Sequence, residues 1–225
     1  MNLFKWIAGL FKKKARLLVT SDLHFGHKNI LSYCERPWST KEEMNEGLVK
    51  LWNEQVNPED VVYIIGDFSL SPGAVRDYAH RLNGTKHLVL GNHDAPFEFD
   101  RRRKAANMRE KYLKDFASVE MQGELTLKNG IKVLLKHFPY SLDYDQRYRQ
   151  HRMKDKGEWL IHGHLHSAYV KSGKQIDAGI DNDFKLLTED DIIKLMNDPR
   201  DFIPSRLTRK VQEKLAKGEN DGDSY

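Results

Sequence analysis

Five short strings in this sequence place metal-ligand side chains where an apolar run ends. They are Asp22-Leu-His24, Gly66-Asp67, Gly91-Asn92-His93-Asp94, His137 and Gly163-His164-Leu165-His166. Imidazole nitrogen together with carboxylate oxygen suits Zn²⁺, Fe, Mn²⁺ and Ni²⁺, whereas Mg²⁺ and Ca²⁺ prefer oxygen ligands alone. If Asp67 is shared, two ions find enough protein ligands among Asp22, His24, Asp67, Asn92, His137, His164 and His166. Two ions about 3.5–4 Å apart can hold a hydroxide between them and offset charge on phosphoryl oxygens. The chemistry indicated is therefore hydrolysis of a phosphate ester without a Ser or Cys nucleophile.

One histidine of these strings is predicted to touch substrate and not metal. His93 follows Asn92, and it points elsewhere if Asn92 binds an ion. A free imidazole beside such a site is suited to protonate the leaving alkoxide, so His93 is predicted to be the general acid. Asp94 is predicted to hold the His93 ring in orientation. A single His or Asp is more often an ordinary polar, turn or cap residue, and only the ordered set of strings favours the metal site.

The residues before the first three strings predict the elements that position them. Apolar runs at 17–19, 61–65 and 88–90 are predicted to be buried strands, and each ends at one string. Helical patterns at 40–56 and 72–82 separate them. Strands that alternate with helices predict a parallel sheet covered on both faces, and sites in such folds form at the carboxyl ends of the strands.

The second half of the chain shows hairpin signals instead. Asn129-Gly130 and Ser172-Gly173 each separate two strand-like runs. His137 follows the run at 131–135, and the last string follows the run at 159–161. Thr188 and Asp191 are predicted to cap a further helix.

Composition indicates an ordinary globular protein. The 225 residues are 39% hydrophobic and 31% charged, and the formal net charge of +4 is too small to imply nucleic-acid binding. Cys34 is the single cysteine, so no intrachain disulfide is possible, and it is interpreted as a partly buried thiol. A reducing, cytoplasmic location is expected.

The chain is predicted to divide into a basic amphipathic helix at 1–15, a globular domain at 16–204, and a charged tail at 205–225 that begins as a surface helix. Residues 1–14 leave two main interpretations open. The helix either packs on the domain or on a second copy, or it contacts an anionic membrane surface as a peripheral segment. An expression artefact or disorder is the third. The sequence leaves the oligomeric state open.

The strings together resemble the calcineurin-like metallophosphoesterase superfamily, whose ordered motifs they match over residues 16–181. The resemblance implies a four-layer α/β/β/α sandwich. It implies one metal held by Asp22, His24, Asp67 and His166, and a second held by Asp67, Asn92, His137 and His164, with His93 as the acid. The string Ser21-Asp-Leu-His-Phe-Gly-His-Lys-Asn-Ile30 looks like a group of small bacterial and phage phosphoesterases.

Two residues near the first string stand outside the superfamily pattern. His27 is a candidate for contact with the substrate phosphate or for help in the acid step, with a loop hydrogen bond as the alternative. Arg36 is a candidate bidentate phosphate clamp, with an ion pair as the alternative. The basic run at 101–104 is interpreted as a solvated surface, and attraction of anionic substrate is the alternative.

These observations predict a dinuclear metal-dependent hydrolase of phosphate esters, with a phosphodiester expected before a monoester. Mn²⁺ is the expected ion, with Fe, Zn²⁺ or Ni²⁺ as alternatives. A nucleotide is a candidate substrate. The alternative functions are a nuclease, a nucleotide phosphatase, and a lipid-phosphate hydrolase that contacts a membrane through residues 1–14. A non-enzymatic scaffold is disfavoured because no part of the site is missing.

Overall fold

The computed structural model describes residues 14–97, 102–140, 148–166 and 169–216. Nearly all of the predicted N-terminal helix, the start of the basic run at 101–104 and the end of the C-terminal tail lie outside these ranges. No helix within them is long and apolar enough to cross a membrane.

Four strands between residues 17 and 120 and one at 187–188 form a mainly parallel sheet in the order β10–β1–β2–β3–β4. The strands are β1 Leu17–Thr20, β2 Val61–Ile64, β3 Thr85–Val89, β4 Ser118–Glu120 and β10 Leu187–Thr188. Strands β1 to β4 are parallel, and β10 is antiparallel to β1. The three apolar runs predicted to be strands are therefore the three adjacent central strands.

Helices connect these strands at positions set by their caps. They are α1 Ile30–Tyr33, α2 Lys41–Gln55, α3 Pro72–Tyr78 and α4 Arg102–Tyr112. The Thr40 side chain accepts a hydrogen bond from Glu43 N at the start of α2, as the capping pattern predicts. Helix α3 begins at Pro72 as predicted, but its last predicted turn is a 3₁₀ helix over Ala79–Arg81.

The second half forms a mixed sheet of six strands in the order β11–β8–β9–β7–β6–β5. They are β5 Gly123–Thr126, β6 Lys132–Leu135, β7 Trp159–His162, β8 Tyr169–Ser172, β9 Gln175–Asp177 and β11 Phe202–Pro204. Antiparallel pairing of β5 with β6 and of β8 with β9 confirms both predicted hairpins. Helix α5, Glu189–Asn197, has the predicted Thr188–Asp191 capping box, and α6 spans Arg206–Ala216.

Two hydrophobic clusters hold these layers together. Leu18, Ile64 and Leu88 point from β1, β2 and β3 towards the helices α1 to α4. The neighbouring Val19 and Val89 face the second cluster, which is shared with the other sheet. Adjacent residues of one strand thus serve opposite faces, and the predicted α/β sandwich of two packed sheets with helices is confirmed.

Candidate metal centre

The ligand-type side chains predicted from the sequence lie in loops at the carboxyl ends of five strands. They are Asp22 and His24 after β1, Asp67 after β2, Asn92 after β3, His137 after β6, and His164 and His166 after β7. Strands β1, β2 and β3 are parallel neighbours in one sheet, and β6 and β7 are parallel neighbours in the other. Their following loops therefore meet at one end of the sandwich.

Asp67 lies at the centre of this group. Its Oδ2 is 3.5 Å from His24 Nε2 and 3.3 Å from His137 Nε2. His24 Nε2 is in turn 3.8 Å from Asp22 Oδ1. Ligand atoms of Asp22, His24 and His166 lie within 4.8 Å of one another, and so do those of Asp22, Asp67 and His137. The structure thus gathers most of the predicted ligands into two adjoining groups.

The two remaining predicted ligands border the second group. The His164 ring packs edge-on against the His137 ring, with centroids 5.2 Å apart. Asn92 follows Gly91, which packs against Asp67 so closely that an added Cβ would overlap the Asp67 carboxylate. Asn92 and His164 are only partly buried, so they form the open side of this group.

Several of these side chains bury a polar atom that has no hydrogen-bond partner among the described residues. Four of these atoms are His24 Nε2, Asp67 Oδ2, Asn92 Oδ1 and His137 Nε2. A fifth, His166 Nδ1, faces Asp181 Oδ2 at 3.6 Å. A buried polar group without a partner costs about 1–3 kcal/mol, and native folds satisfy nearly all such groups. Lone pairs of nitrogen and oxygen gathered in this way fit divalent ions such as Mn²⁺, Fe²⁺ or Zn²⁺.

The backbone of the site is strained at the ligand positions themselves. Asp22, His24, Asp67, His164 and His166 have φ values of 57°, 54°, 52°, 74° and 47°. This left-handed region is uncommon for residues other than glycine, and it costs of order 1–3 kcal/mol at each residue. Backbone hydrogen bonds hold two of these residues against the next loop, from Asp22 N to Gly66 O and from His24 N to Asp67 O, each at 3.0 Å.

Backbone amides also fix the two carboxylates. Asp22 accepts hydrogen bonds from His164 N, at 3.0 Å to Oδ2, and from the Ser21 hydroxyl. Asp67 Oδ1 accepts one from His93 N at 2.9 Å, which leaves Oδ2 directed at the two histidines. The orientation of Asp67 therefore suits a carboxylate shared between two ions.

Electrostatics keep both carboxylates and two of the histidines in the forms that bind metal. Burial raises the pKa of Asp22 and of Asp67, but the surrounding histidines outweigh it and hold both values below the usual range. Burial lowers the pKa of His24 to about 4 and that of His164 to about 3. At neutral pH the carboxylates are therefore charged and these two imidazoles offer lone pairs.

Burial lowers the pKa of His137 and of His166, but Asp67 and Asp181 outweigh it and raise the values to about 9 and about 11. These two rings would therefore each release a proton on binding metal.

His93 lies on the exposed side of the site, as expected for a group that meets substrate. Its ring centroid is 5.2 Å from that of His24 and 6.1 Å from that of His27. No hydrogen bond joins the Asp94 carboxylate to the His93 ring in the described part of the chain. The predicted orienting contact is therefore not seen.

Asp94 instead braces the loops that carry the ligands. Its Oδ2 accepts hydrogen bonds from Asp67 N and Gly91 N, both at 2.9 Å. Its Oδ1 accepts from Phe68 N at 3.0 Å and Ser69 N at 3.4 Å. Burial and the Asp67 charge raise the pKa of Asp94 to about 7, although the backbone donors favour the ionised form. The side chain thus fixes the backbone of Asp67.

His27 makes the loop contact that was the alternative to a role in substrate binding, and it still borders the open side. Its Nδ1 lies 3.4 Å from His24 Nδ1. Because His24 Nε2 faces the carboxylates, this contact falls on the opposite nitrogen of the ring, where a partner sets tautomer and orientation. His27 is only partly buried, and its ring lies near that of His93 on the open side of the site.

Arg36 has the ion pair that was the alternative to a phosphate clamp. Its side chain is fully buried, and its guanidinium binds the Asp181 carboxylate through Nε at 2.8 Å and through Nη2 at 3.0 Å. The guanidinium is directed into the protein and is not presented to the open side of the site.

Asp181 is the main residue of the site that was not predicted from the sequence. It closely follows the end of β9, in the same relation to a strand as the predicted ligands, and this position is the signal that was available. Its Oδ2 lies 3.6 Å from His166 Nδ1. Cys34 also lies within 4.8 Å of both. It is almost completely buried, more so than the partly buried thiol that the sequence predicted, and burial raises the pKa of its thiol.

Comparison with known proteins agrees with this geometry. The family model of the calcineurin-like phosphoesterase superfamily domain matches residues 16–178. The Gene 66 protein of Mycobacterium phage D29 is 36% identical over 193 residues, which cover 80% of this chain and 94% of that protein. An uncharacterized protein of Methanocaldococcus jannaschii, MJ1445, is 34% identical over 161 residues, which cover 69% of this chain and 72% of that protein.

Among solved structures, the chain is similar to AQ665 of Aquifex aeolicus, a protein of unknown function. The TM-score is 0.61 at 25% identity, and the match covers 81% of this chain and all of the other.

Proposed function

The chain belongs to the calcineurin-like phosphoesterase superfamily, and from that premise we propose that it is a dinuclear metal-dependent phosphodiesterase. The observation that carries the proposal is the convergence of buried lone pairs without hydrogen-bond partners on His24, Asp67 and His137. Asp67 Oδ2 faces both histidines at 3.3–3.5 Å and would be the shared ligand. When bound, two divalent ions supply a nucleophile derived from water and offset the charge of the phosphoryl oxygens.

The residues would divide into two ligand sets around Asp67. The first ion would take Asp22, His24 and His166 beside Asp67, and the second would take Asn92, His137 and His164. Mn²⁺ is the proposed ion, because the donor set mixes imidazole with carboxylate and amide oxygen and contains no thiolate.

His93 would supply the proton that the departing alkoxide needs. Its backbone N–H is anchored on Asp67 Oδ1, while its imidazole stands on the exposed side beside His24. The ring is thus held near the shared carboxylate without being a ligand. General acids placed in this way contribute about 10²–10⁴-fold to rate.

The open side favours a diester over a monoester. His27 borders it with an imidazole whose pKa is lowered by burial and by His93, so that ring is uncharged at neutral pH. The Arg36 guanidinium is occupied inside the protein. An uncharged donor suits the single charge of a diester better than the double charge of a monoester.

The test is turnover of bis-p-nitrophenyl phosphate against p-nitrophenyl phosphate by protein reconstituted with Mn²⁺. We expect metal-dependent turnover that is faster with the diester and is abolished by Asp67→Asn. Asp201→Asn is the control, because Asp201 is exposed. Absence of metal-dependent turnover of either ester, or full activity of Asp67→Asn, would refute the proposal.

A His93→Ala variant tests the acid role separately. We expect kcat to fall by about 10²–10⁴-fold for an ester with a poor leaving group, and to fall less for p-nitrophenolate, which needs little protonation. Mn²⁺ stoichiometry should stay unchanged. The exposed His80 provides the matched control His80→Ala. An equal loss with both leaving groups would argue against a proton donor.

A nucleotide diester is a second candidate substrate, favoured by Tyr33. This ring is 69% exposed and lies 6.4 Å from the His27 ring. An exposed aromatic side chain at the edge of a phosphate site offers a stacking surface for a base, worth about 1–3 kcal/mol. Tyr33→Leu should then raise KM for the p-nitrophenyl ester of thymidine 5′-phosphate more than KM for methyl p-nitrophenyl phosphate. Equal effects on both would remove this candidate.

A further inference from the structure

The buried ion pair between Arg36 and Asp181 joins two loops of the candidate metal centre. Beyond its two contacts to Asp181, the Arg36 guanidinium donates from Nη1 to Leu23 O at 2.8 Å and from Nη2 to Asp22 O at 2.7 Å. One side chain therefore holds the two carbonyls that precede His24, and it binds a carboxylate 145 positions away in the sequence.

The held carbonyls belong to the strained turn of the first ligand string. Asp22 and His24 flank Leu23, and both have left-handed φ values. A conformation of this kind persists only where its surroundings over-determine it. A planar guanidinium with several donors in fixed directions is suited to this, because it fixes both peptide groups at once.

Asp181 extends the same network to a second ligand. Its Oδ1 and Oδ2 both bind Arg36, and Oδ2 also lies 3.6 Å from His166 Nδ1. His166 forms one ligand group with Asp22 and His24. A carboxylate behind a metal-binding histidine fixes the ring and raises its basicity, and loss of such a partner typically costs about 10–100-fold in metal affinity.

Stability alone gives a weak reason for such a pair. The desolvation free energy of two buried charges offsets much of their electrostatic attraction. Apolar replacements of buried ion pairs are therefore often neutral or stabilising. Arg36 and Asp181 are both fully enclosed, with no exposed side-chain surface. Their contacts converge on residues of one ligand group, which a purely structural pair would not require.

We propose that Arg36 and Asp181 are positioning residues that hold the Asp22–His24 turn and His166 in the geometry that binds the first metal ion. The inference rests on the proposed function for the use of that ion. Its test is metal affinity, so the two can fail separately.

The experiment titrates Mn²⁺ into protein that has been depleted of metal with EDTA. Binding is measured by isothermal titration calorimetry, and folding is checked by circular dichroism. The informative variants are Asp181→Asn, which keeps the shape but not the charge, and the double variant Arg36→Met/Asp181→Leu, which removes both charges together. In either we expect one of two Mn²⁺ ions to bind about 10–100-fold more weakly, while the other keeps its affinity. Arg36→Lys keeps the positive charge but not the forked arrangement of donors. We therefore expect it to lose less Mn²⁺ affinity than Asp181→Asn or the double variant.

The matched control is a second ion pair, between Arg16 and Asp60, which directly precede β1 and β2. Arg16 Nη2 lies 2.6 Å from Asp60 Oδ2 at the opposite end of these strands, and its side chain is partly exposed. Arg16→Met should lower stability and leave both Mn²⁺ affinities unchanged. A folded Asp181→Asn or double variant that binds two Mn²⁺ ions as the wild type does would overturn the inference. If the wild type binds both ions but hydrolyses no phosphate ester, the proposed function is wrong. The positioning role is then still decided by the Mn²⁺ affinities of the variants.

Discussion

Replacement of Gly91 by alanine tests whether the packing around Asp67 controls the site. A Cβ on Gly91 would lie 2.5 Å from the backbone nitrogen of Asp67 and closer still to its Oδ1. The side chain alone could not relieve this overlap, because the nitrogen belongs to the strained backbone and already donates to Asp94. Overpacking of this kind costs about 1–3 kcal/mol in unfolding free energy. A shift of about 1 Å in a catalytic group lowers the rate by about 10²-fold.

The assay combines urea unfolding, Mn²⁺ titration and turnover of bis-p-nitrophenyl phosphate by Gly91→Ala. We expect lower stability, weaker binding of both ions because Asp67 is their proposed shared ligand, and a kcat about 10²-fold lower. Gly73→Ala is the matched control, because a Cβ there meets only Ser71 Oγ at 3.7 Å. It should leave activity unchanged and add about 0.4–1 kcal/mol of stability. Two Mn²⁺ ions bound to Gly91→Ala with unchanged affinity and unchanged turnover would refute the reasoning.

Three further predictions concern metal, pH and substrate. Mn²⁺ at 100 times its Kd should raise the unfolding free energy by about 2.7 kcal/mol per independent site over EDTA-treated protein, measured by urea denaturation. Burial lowers the pKa of His137 but the Asp67 carboxylate outweighs it and raises the value to about 9, whereas an unfolded histidine titrates near 6.5. Protonated His137 therefore stabilises the folded state, fully below about pH 6.5 and progressively less as pH rises to 9. The unfolding free energy of EDTA-treated protein should fall over that range, and it should fall less steeply with pH in His137→Gln. His27→Ala should lower kcat/KM for bis-p-nitrophenyl phosphate by about 10–100-fold, as expected for a lost hydrogen bond to a charged group, and an unchanged value would exclude substrate contact.

The sequence was sufficient to predict the fold class and the convergence of the strings. Each apolar run ended at a ligand-type residue, and parallel strands bring such ends to one edge. Asp67 and His137 are far apart in the chain, yet their side-chain atoms lie 3.3 Å apart. Hairpins at Asn129-Gly130 and Ser172-Gly173 were equally predictable, because the turn residues fix the register.

The roles of Arg36 and Asp94 could not be predicted in the same way. Both side chains carry charge and stand beside ligand strings, so sequence position alone favours a role in chemistry. Their direction depends on packing: Arg36 turns inward to Asp181, and Asp94 turns towards four backbone amides. Long-range partners of this kind leave no local pattern, and Asp181 was recognisable only by its position after β9.

Left-handed backbone conformations and buried polar atoms without partners each occur outside the candidate metal centre as well as within it. Residues that have both features are fewer. Left-handed φ values also occur at Glu35 and Phe184, which are not among the predicted ligands. Unpartnered buried atoms also occur on Thr20 and Asp177. Within the described ranges, His24 and Asp67 combine both features, and the unpartnered atom of each faces another predicted ligand. His166 also combines them, but its Nδ1 faces Asp181. Glycine would relieve the strain at these positions, and a smaller side chain would remove the unpartnered atom. A divalent ion bound to the lone pairs of His24 and Asp67 would account for both costs at once.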